Sequence, residues 1–173
     1  MLESCPSEIM IASRQTILSR KPIEPFYDRS SAYGMTYGLG PAGYDVRIAQ
    51  TLWLWPFWGR RASTIEYFRM PSDLAAEVKD KSTNARRFIL VQNTFIDPGW
   101  CGYLTLELTR FLLWPVRIEK GTPIAQIVFY LLDEPTDQPY RGRYFNQQAG
   151  VQPAILDKED SDVCGSGKLF PWR

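Results

Sequence analysis

Apolar and polar residues alternate most cleanly from Tyr103 to Thr109: Leu104, Leu106 and Leu108 face one way, and Tyr103, Thr105, Glu107 and Thr109 face the other. A period of two belongs to a strand with one buried face. The same period runs through residues 44–54, with Tyr44, Val46 and Ile48 on one face and Asp45 and Arg47 on the other, and more weakly through residues 63–68. Short apolar runs over residues 88–91, 116–119 and 124–132 predict further strands, the last two joined by a turn at Lys120-Gly121-Thr122-Pro123. Helical spacing is scarce, and only residues 14–20 predict a helix, capped by Ser13 and stopped by Pro22 and Pro25. Ser, Tyr and Gly over residues 30–43, ending in Gly40-Pro41-Ala42-Gly43, predict a loop; residues 70–74 predict a turn into 75–78, and Asp97-Pro98-Gly99 a break. Short strands divided by Gly/Pro turns predict an all-β sandwich or barrel-like fold. From Gln138 the chain becomes polar, with a basic, amide-rich segment at residues 141–148, an acidic stretch at 157–162 and a Gly-Ser-Gly beyond it, which together predict a mobile C-terminal arm.

Composition narrows the chemistry. A length of 173 residues suits one domain with a real core. The 20 basic and 19 acidic residues leave a net charge of +1, so no overall field draws in nucleic acid or an anionic membrane, and an anionic ligand has to be met by a local cluster. No apolar run approaches the ~20 residues of a membrane span, and the first residues lack the basic-then-apolar order of a signal peptide, so a cytoplasmic protein is expected. Cys5, Cys101 and Cys164 are odd in number and widely spaced, which suits reduced thiols. Histidine is absent altogether. That rules out a Ser-His-Asp triad and the His/Cys/Cys zinc site of one large class of nucleobase deaminases, leaving acid-base work to carboxylates, lysine, tyrosine or water.

The densest aromatic patch, Trp53-Leu54-Trp55-Pro56-Phe57-Trp58 followed by Arg60-Arg61, reads chiefly as a core or subunit-interface edge with a solvated basic turn. A stacking platform for single-stranded nucleic acid would need cations interleaved along a groove. Lys81, Ser82, Thr83 and Arg86 put two cations and two hydroxyls into one short turn, which reads either as a solvated charged turn or as a cradle for anionic oxygens. Asp97 is either a turn former or a ligand group. Glu107, in mid-strand beside Thr105, is either salt-bridged or part of a site.

Taken in order, several motifs carry a resemblance: Gly43-Tyr44-Asp45-Val46-Arg47, Ala62-Ser63-Thr64-Ile65-Glu66-Tyr67 leading to Met70-Pro71, Lys81-Ser82-Thr83-Asn84-Ala85-Arg86, residues 95–99 and 102–107, the Gly121 to Phe129 run and Arg143-Tyr144-Phe145-Asn146-Gln147-Gln148. Their order and spacing over roughly residues 10–150 resemble the dCTP deaminase family of the trimeric dUTPase-like superfamily. The resemblance implies a distorted jelly-roll or β-clip barrel over residues 1–150, a tail at 151–173, and a homotrimer with sites between neighbours. It implies hydrolytic deamination of dCTP to dUTP without zinc, with Mg2+ accompanying the triphosphate. Glu107 would be general base and acid, and Ser82 and Arg86 would help hold the water and that carboxylate. Lys81, Thr83, Arg143 and Gln147 would hold the triphosphate, while Asp97 and Thr105 would sit by sugar and base. Tyr140 would belong to the mobile arm, and Asn84, Ala85 and Leu106 complete the nucleotide-binding set. Neither nucleic acid nor membrane is an expected partner. A bifunctional deaminase that also hydrolyses dUTP, a dUTPase alone, and a non-catalytic regulatory or structural trimer are the alternatives.

Overall fold

The computed structural model describes residues 10–156; Cys5, Cys164, the acidic stretch and the Gly-Ser-Gly lie outside the described residues. The order of elements is β1 (Met10–Ile11), α1 (Arg14–Arg20), β2 (Ile23–Glu24), β3 (Arg29–Ala32), β4 (Met35–Leu39), β5 (Tyr44–Arg47), β6 (Leu52–Leu54), β7 (Arg60–Arg69), β8 (Leu74–Asp80), α2 (Ser82–Ala85), β9 (Ile89–Val91), β10 (Phe95–Ile96), β11 (Cys101–Arg110), β12 (Val116–Ile118) and β13 (Pro123–Leu131). The fold is mainly β, as the alternation predicts. One sheet runs β10-β8-β13-β5-β4-β3 with β1 added to β13; a second runs β2-β7-β11-β9; β12 and β6 form a short ribbon.

Buried faces of both large sheets supply one core, in which Tyr44, Val46, Ile48, Phe68, Leu106, Leu108, Ile127 and Phe129 are almost fully enclosed. The predicted helix forms over Arg14–Arg20 with Ser13 as its N-cap, the Ser13 side chain accepting from the Thr16 main-chain N–H. Along β11 every second residue is buried, so the leucines face the core and Tyr103, Thr105 and Glu107 face outward.

Three local expectations change. Residues 30–39 belong to the β3–β4 hairpin instead of a loop, because Tyr33 and Gly34 both take positive φ (51° and 71°), the conformation that closes a two-residue turn between Ala32 and Met35, while residues 40–43 keep the expected turn, Gly40 N–H donating to the Gly43 carbonyl at 2.8 Å. The strand expected over residues 44–54 stops after Arg47: Ile48 bridges Thr64 of the other sheet, and Ala49 N–H donates to the Ser63 carbonyl, so the chain crosses between sheets there. The arm lies down on the β scaffold. Tyr140 N–H donates to the Pro98 carbonyl, Asn146 N–H to Cys101 and Tyr103 N–H to Gln147, and Gln147 bridges Gly102 in parallel. Two glycines admit it: at Gly99 (φ 80°) a Cβ would come within 2.4 Å of the Pro139 Cβ, and at Gly102 (φ 143°) within 2.7 Å of the Gln147 nitrogen. The aromatic patch is only partly core. Leu54 is fully buried, whereas Trp53, Trp55, Phe57 and Trp58 are exposed, as are Phe111, Leu113 and Trp114.

Candidate active site

A cavity of about 490 Å³ opens between the outward face of β11, the 94–97 segment and the arm, and its lining includes Asp97, Thr105, Glu107, Tyr140 and Gln147. Five of the predicted site residues therefore converge. Each is placed by a separate feature: Thr105 and Glu107 by strand alternation, Asp97 by the turn before Trp100, and Tyr140 and Gln147 by the arm's hydrogen bonds to the scaffold. Trp100 walls the cavity and anchors the arm, its indole N–H donating to the Tyr144 carbonyl at 2.7 Å. Leu106 points into the core with 1% of its surface exposed.

Glu107 is half-buried, and among the described residues neither a side chain nor the main chain of another residue hydrogen-bonds its carboxylate. Burial pushes its carboxyl above the usual carboxylate range; a hydrogen bond from its own main-chain N–H and, after it, the positive charge of Arg61 pull in the opposite direction. Arg61 is its cross-strand partner in the β7–β11 pairing. Thr105 is constrained in another way. Its Oγ1 accepts from the Gln147 side-chain amide at 2.7 Å and from the Gln152 main-chain N–H at 3.2 Å. A hydroxyl has two acceptor lone pairs and one donor, so Thr105 offers a ligand only its O–H and selects for an acceptor atom.

The 81–86 segment stands elsewhere. Lys81 and Ser82 line a separate pocket of about 220 Å³ with Arg29, Tyr37, Asp45 and Gln126, which shares no residue with the Glu107 cavity. Lys81 is buried, and its ammonium pairs with Asp45 at 2.5 Å, while burial pushes the Asp45 carboxyl up and the Lys81 bond pulls it back. Asn84 is also structural in placement: its Nδ2 donates to the Pro123 and Ile124 carbonyls at 2.9 and 3.2 Å, tying α2 to β13. Ser82, Thr83 and Arg86 remain exposed on or beside α2, and Ala85 is half-buried. Arg143 donates to the Ile155 carbonyl at 2.8 Å.

The sequence reading missed Arg61, Tyr144 and Gln152, which also line the Glu107 cavity. Arg61 is visible along the chain only as half of a basic pair at a turn. A register shift between Tyr103 and Thr105 resets the pairing so that Arg61, not Ser63, meets Glu107, and no short-range pattern signals that shift.

Comparison with known proteins supplies the lineage. Residues 61–132 match the family model described as dCTP deaminase-like. A dCTP deaminase of Campylobacter jejuni is 32% identical over 176 aligned positions, covering 83% of this chain and 95% of that protein. The chain belongs to the dCTP deaminase family. Among solved structures, the dCTP deaminase of Agrobacterium tumefaciens shares the fold with a TM-score of 0.56 at 16% identity, over 71% of this chain and 48% of that one. A mutant dUTPase from phage phi11 of S. aureus, described with a structural Mg(II) ion, superposes with a TM-score of 0.51 at 14% identity over 78% of this chain and 97% of that one. The dUTPase-like β fold expected of a dCTP deaminase family member is thus the fold observed.

Proposed function

We propose that this protein converts dCTP and water to dUTP and ammonia. The observation that carries the reading is Glu107: a half-buried carboxylate with no hydrogen bond from another of the described residues, in a cavity that also presents a donor-only hydroxyl at Thr105. Family membership supplies the substrate class, since the curated relatives are named dCTP deaminases.

Attack on C4 of cytosine requires a nucleophile stronger than neutral water and protons for ring N3 and the departing amine. Glu107 takes a proton from water as the oxygen bonds to C4 and passes that proton to N3. It then takes the second proton from the new hydroxyl and delivers it to the amine, so the C–N bond breaks, ammonia leaves and C4 becomes a carbonyl. A single carboxylate held above its ordinary range suits both halves of this cycle. The absence of histidine fits a route without a histidine-bound zinc. Mg2+ enters as the companion of the triphosphate; no cluster of three or more Cys, Asp or Glu that could hold a metal occurs among the described residues, so phosphate oxygens and water would form most of its shell.

The same reading accounts for the separation of the two pockets. Ser82, Thr83 and Arg86 sit exposed at α2, apart from Glu107, and a homotrimer in which a neighbour's α2 closes the cavity would supply them as water-positioning and triphosphate-binding groups. The exposed apolar side chains of Trp53, Trp55, Phe57, Leu113 and Trp114 support association, because a surface of that character favours cover. Residues 1–150 would form the catalytic domain and 151–173 its extension.

Incubation of the pure protein with dCTP and Mg2+, following ammonia, dUTP, dUMP and pyrophosphate separately, tests the reading. Ammonia with accumulating dUTP is expected. Asp97 lines the same cavity, so continuation to dUMP would identify a bifunctional enzyme. Pyrophosphate from dUTP with no attack on dCTP would overturn the reading in favour of a dUTPase, and no turnover of either nucleotide would favour a regulatory trimer.

A further inference from the structure

Resting on the deaminase reading, we propose that Arg61 is a positioning residue for Glu107: held one strand away by the carbonyl of Gln152, its guanidinium supplies a fixed countercharge to the base without forming an ion pair with it.

Three observations place it there. Arg61 is the Cα partner of Glu107 in the antiparallel β7–β11 pair, so both side chains leave the same face of the sheet. Both line the 490 Å³ cavity. The guanidinium is nevertheless committed elsewhere, its Nη1 donating to the Gln152 carbonyl at 3.1 Å. Gln152 is itself pinned, because its N–H donates to Thr105 Oγ1 at 3.2 Å. The segment at residue 152 therefore ties the guanidinium to the strand that carries Thr105 and Glu107.

That separation has a chemical purpose. A bidentate Arg–Glu bond would hold the carboxylate ionised so firmly that it could not carry a proton to N3 and then to the amine. With no cation at all, burial would favour the protonated form, which cannot accept a proton from water. A cation in the same cavity, but not bonded, lies between these extremes. Within one chain the remaining groups that face Glu107 do not supply this charge, and Arg86 of the partner subunit would add a second cation only where the proposed trimer closes the cavity. Asp97 in the 94–97 segment has the wrong sign, Tyr140 and Tyr144 on the arm are phenols, and on the β9 side Gln92 meets only the main-chain carbonyl of Glu107. Arg110 lies on the other face of β11, where it donates to the Trp114 and Arg87 carbonyls.

The test compares wild type, Arg61→Met and Arg61→Lys by ammonia release from dCTP between about pH 5.5 and about pH 9, with kcat and KM separated at each pH. Arg61 is exposed at the start of its strand, so both variants are expected to fold. For Arg61→Met the acid limb of kcat should move upward by about one pH unit, with kcat on that limb falling about tenfold and recovering on the alkaline side, since the ionised fraction there changes about tenfold for each pH unit. KM should change little, and Arg61→Lys should restore most of the profile. An unmoved acid limb, or a loss confined to KM, would overturn the proposal and make Arg61 a strap anchor or a phosphate ligand. Were wild type itself inactive on dCTP, the deaminase reading would be what failed. The Glu107 carboxyl titration, followed by carbon NMR in wild type and Arg61→Met, would then still decide: an upward move supports the electrostatic role, and no move overturns it.

Discussion

Two glutamates on paired strands show how differently one fold treats the same side chain. Glu66 on β7 is fully buried, and Arg47 satisfies both its oxygens, with Nε on Oε1 and the main-chain N–H on Oε2, each at 2.8 Å. Arg47 is in turn flanked by the Tyr37 and Tyr27 rings at 4.3 and 4.7 Å. Glu107 on β11 is half-buried and faces a cavity, with its cation one strand away and bonded to something else. Burial pushes both carboxyls up; at Glu66 the hydrogen bonds and charge of Arg47 pull back, while at Glu107 its own main-chain N–H does so first and the Arg61 charge adds to it from a distance. The carboxylate whose lone pairs are taken is a structural part. The one left with capacity is the one proposed as a reagent.

The widest separation of the two should appear in turnover. Glu107→Gln is expected to lower kcat by roughly 10²-fold or more, the range that general acid-base catalysis supplies, while nucleotide binding and the fold persist. A variant that deaminates at near wild-type rate would move Glu107 into the structural class. The converse holds for Glu66→Ala, which leaves the Arg47 guanidinium uncompensated in a buried setting and should cost about 3–5 kcal/mol in urea unfolding. An unchanged midpoint would show that the Arg47–Glu66 pair is dispensable.

The arm sharpens the contrast because it roofs only the Glu107 side. Deleting residues 138–173 should raise KM for dCTP strongly, since Tyr140 and Gln147 leave the cavity and Trp100 and Thr105 lose partners, while the core strands remain assembled. Unchanged kinetics would reduce the arm to a passive cover.

The smallest effect concerns stability. The folded state holds the Glu107 proton more tightly than the unfolded chain does, so this residue favours folding below the unfolded pKa, and that advantage disappears as pH rises through the folded value. Glu107→Gln should therefore raise Tm slightly near pH 7, and the gain should vanish near pH 4, where the carboxyl is largely protonated in both states. A lowered Tm at neutral pH would mean that Glu107 makes a stabilising contact in the assembled protein.

Much of the Glu107 cavity was legible along the chain, because strand alternation alone separates Thr105 and Glu107 from the leucine face and Asp97 stands at an obvious break. Arg61 was not, since its place opposite Glu107 depends on a register shift between Tyr103 and Thr105 and not on any local period. Gln152 lay in a tail with no pattern of its own; a main-chain N–H and carbonyl attach it, and main-chain groups look alike in every sequence. Lys81 illustrates the reverse case. Its charge was legible, but not its burial against Asp45.

By itself the sequence determined the strand faces, the Ser13-capped helix and the lack of imidazole chemistry, because period, capping and composition act within a few residues. The tertiary structure decided which cation meets which carboxylate: Arg47 with Glu66, Lys81 with Asp45, and Arg61 near Glu107 but bonded to Gln152. Those bonded partners are 19, 36 and 91 residues apart in the chain. Register, bulges and sheet crossings set their meeting, and these depend on how whole strands share one core, a long-range condition that no window of sequence contains.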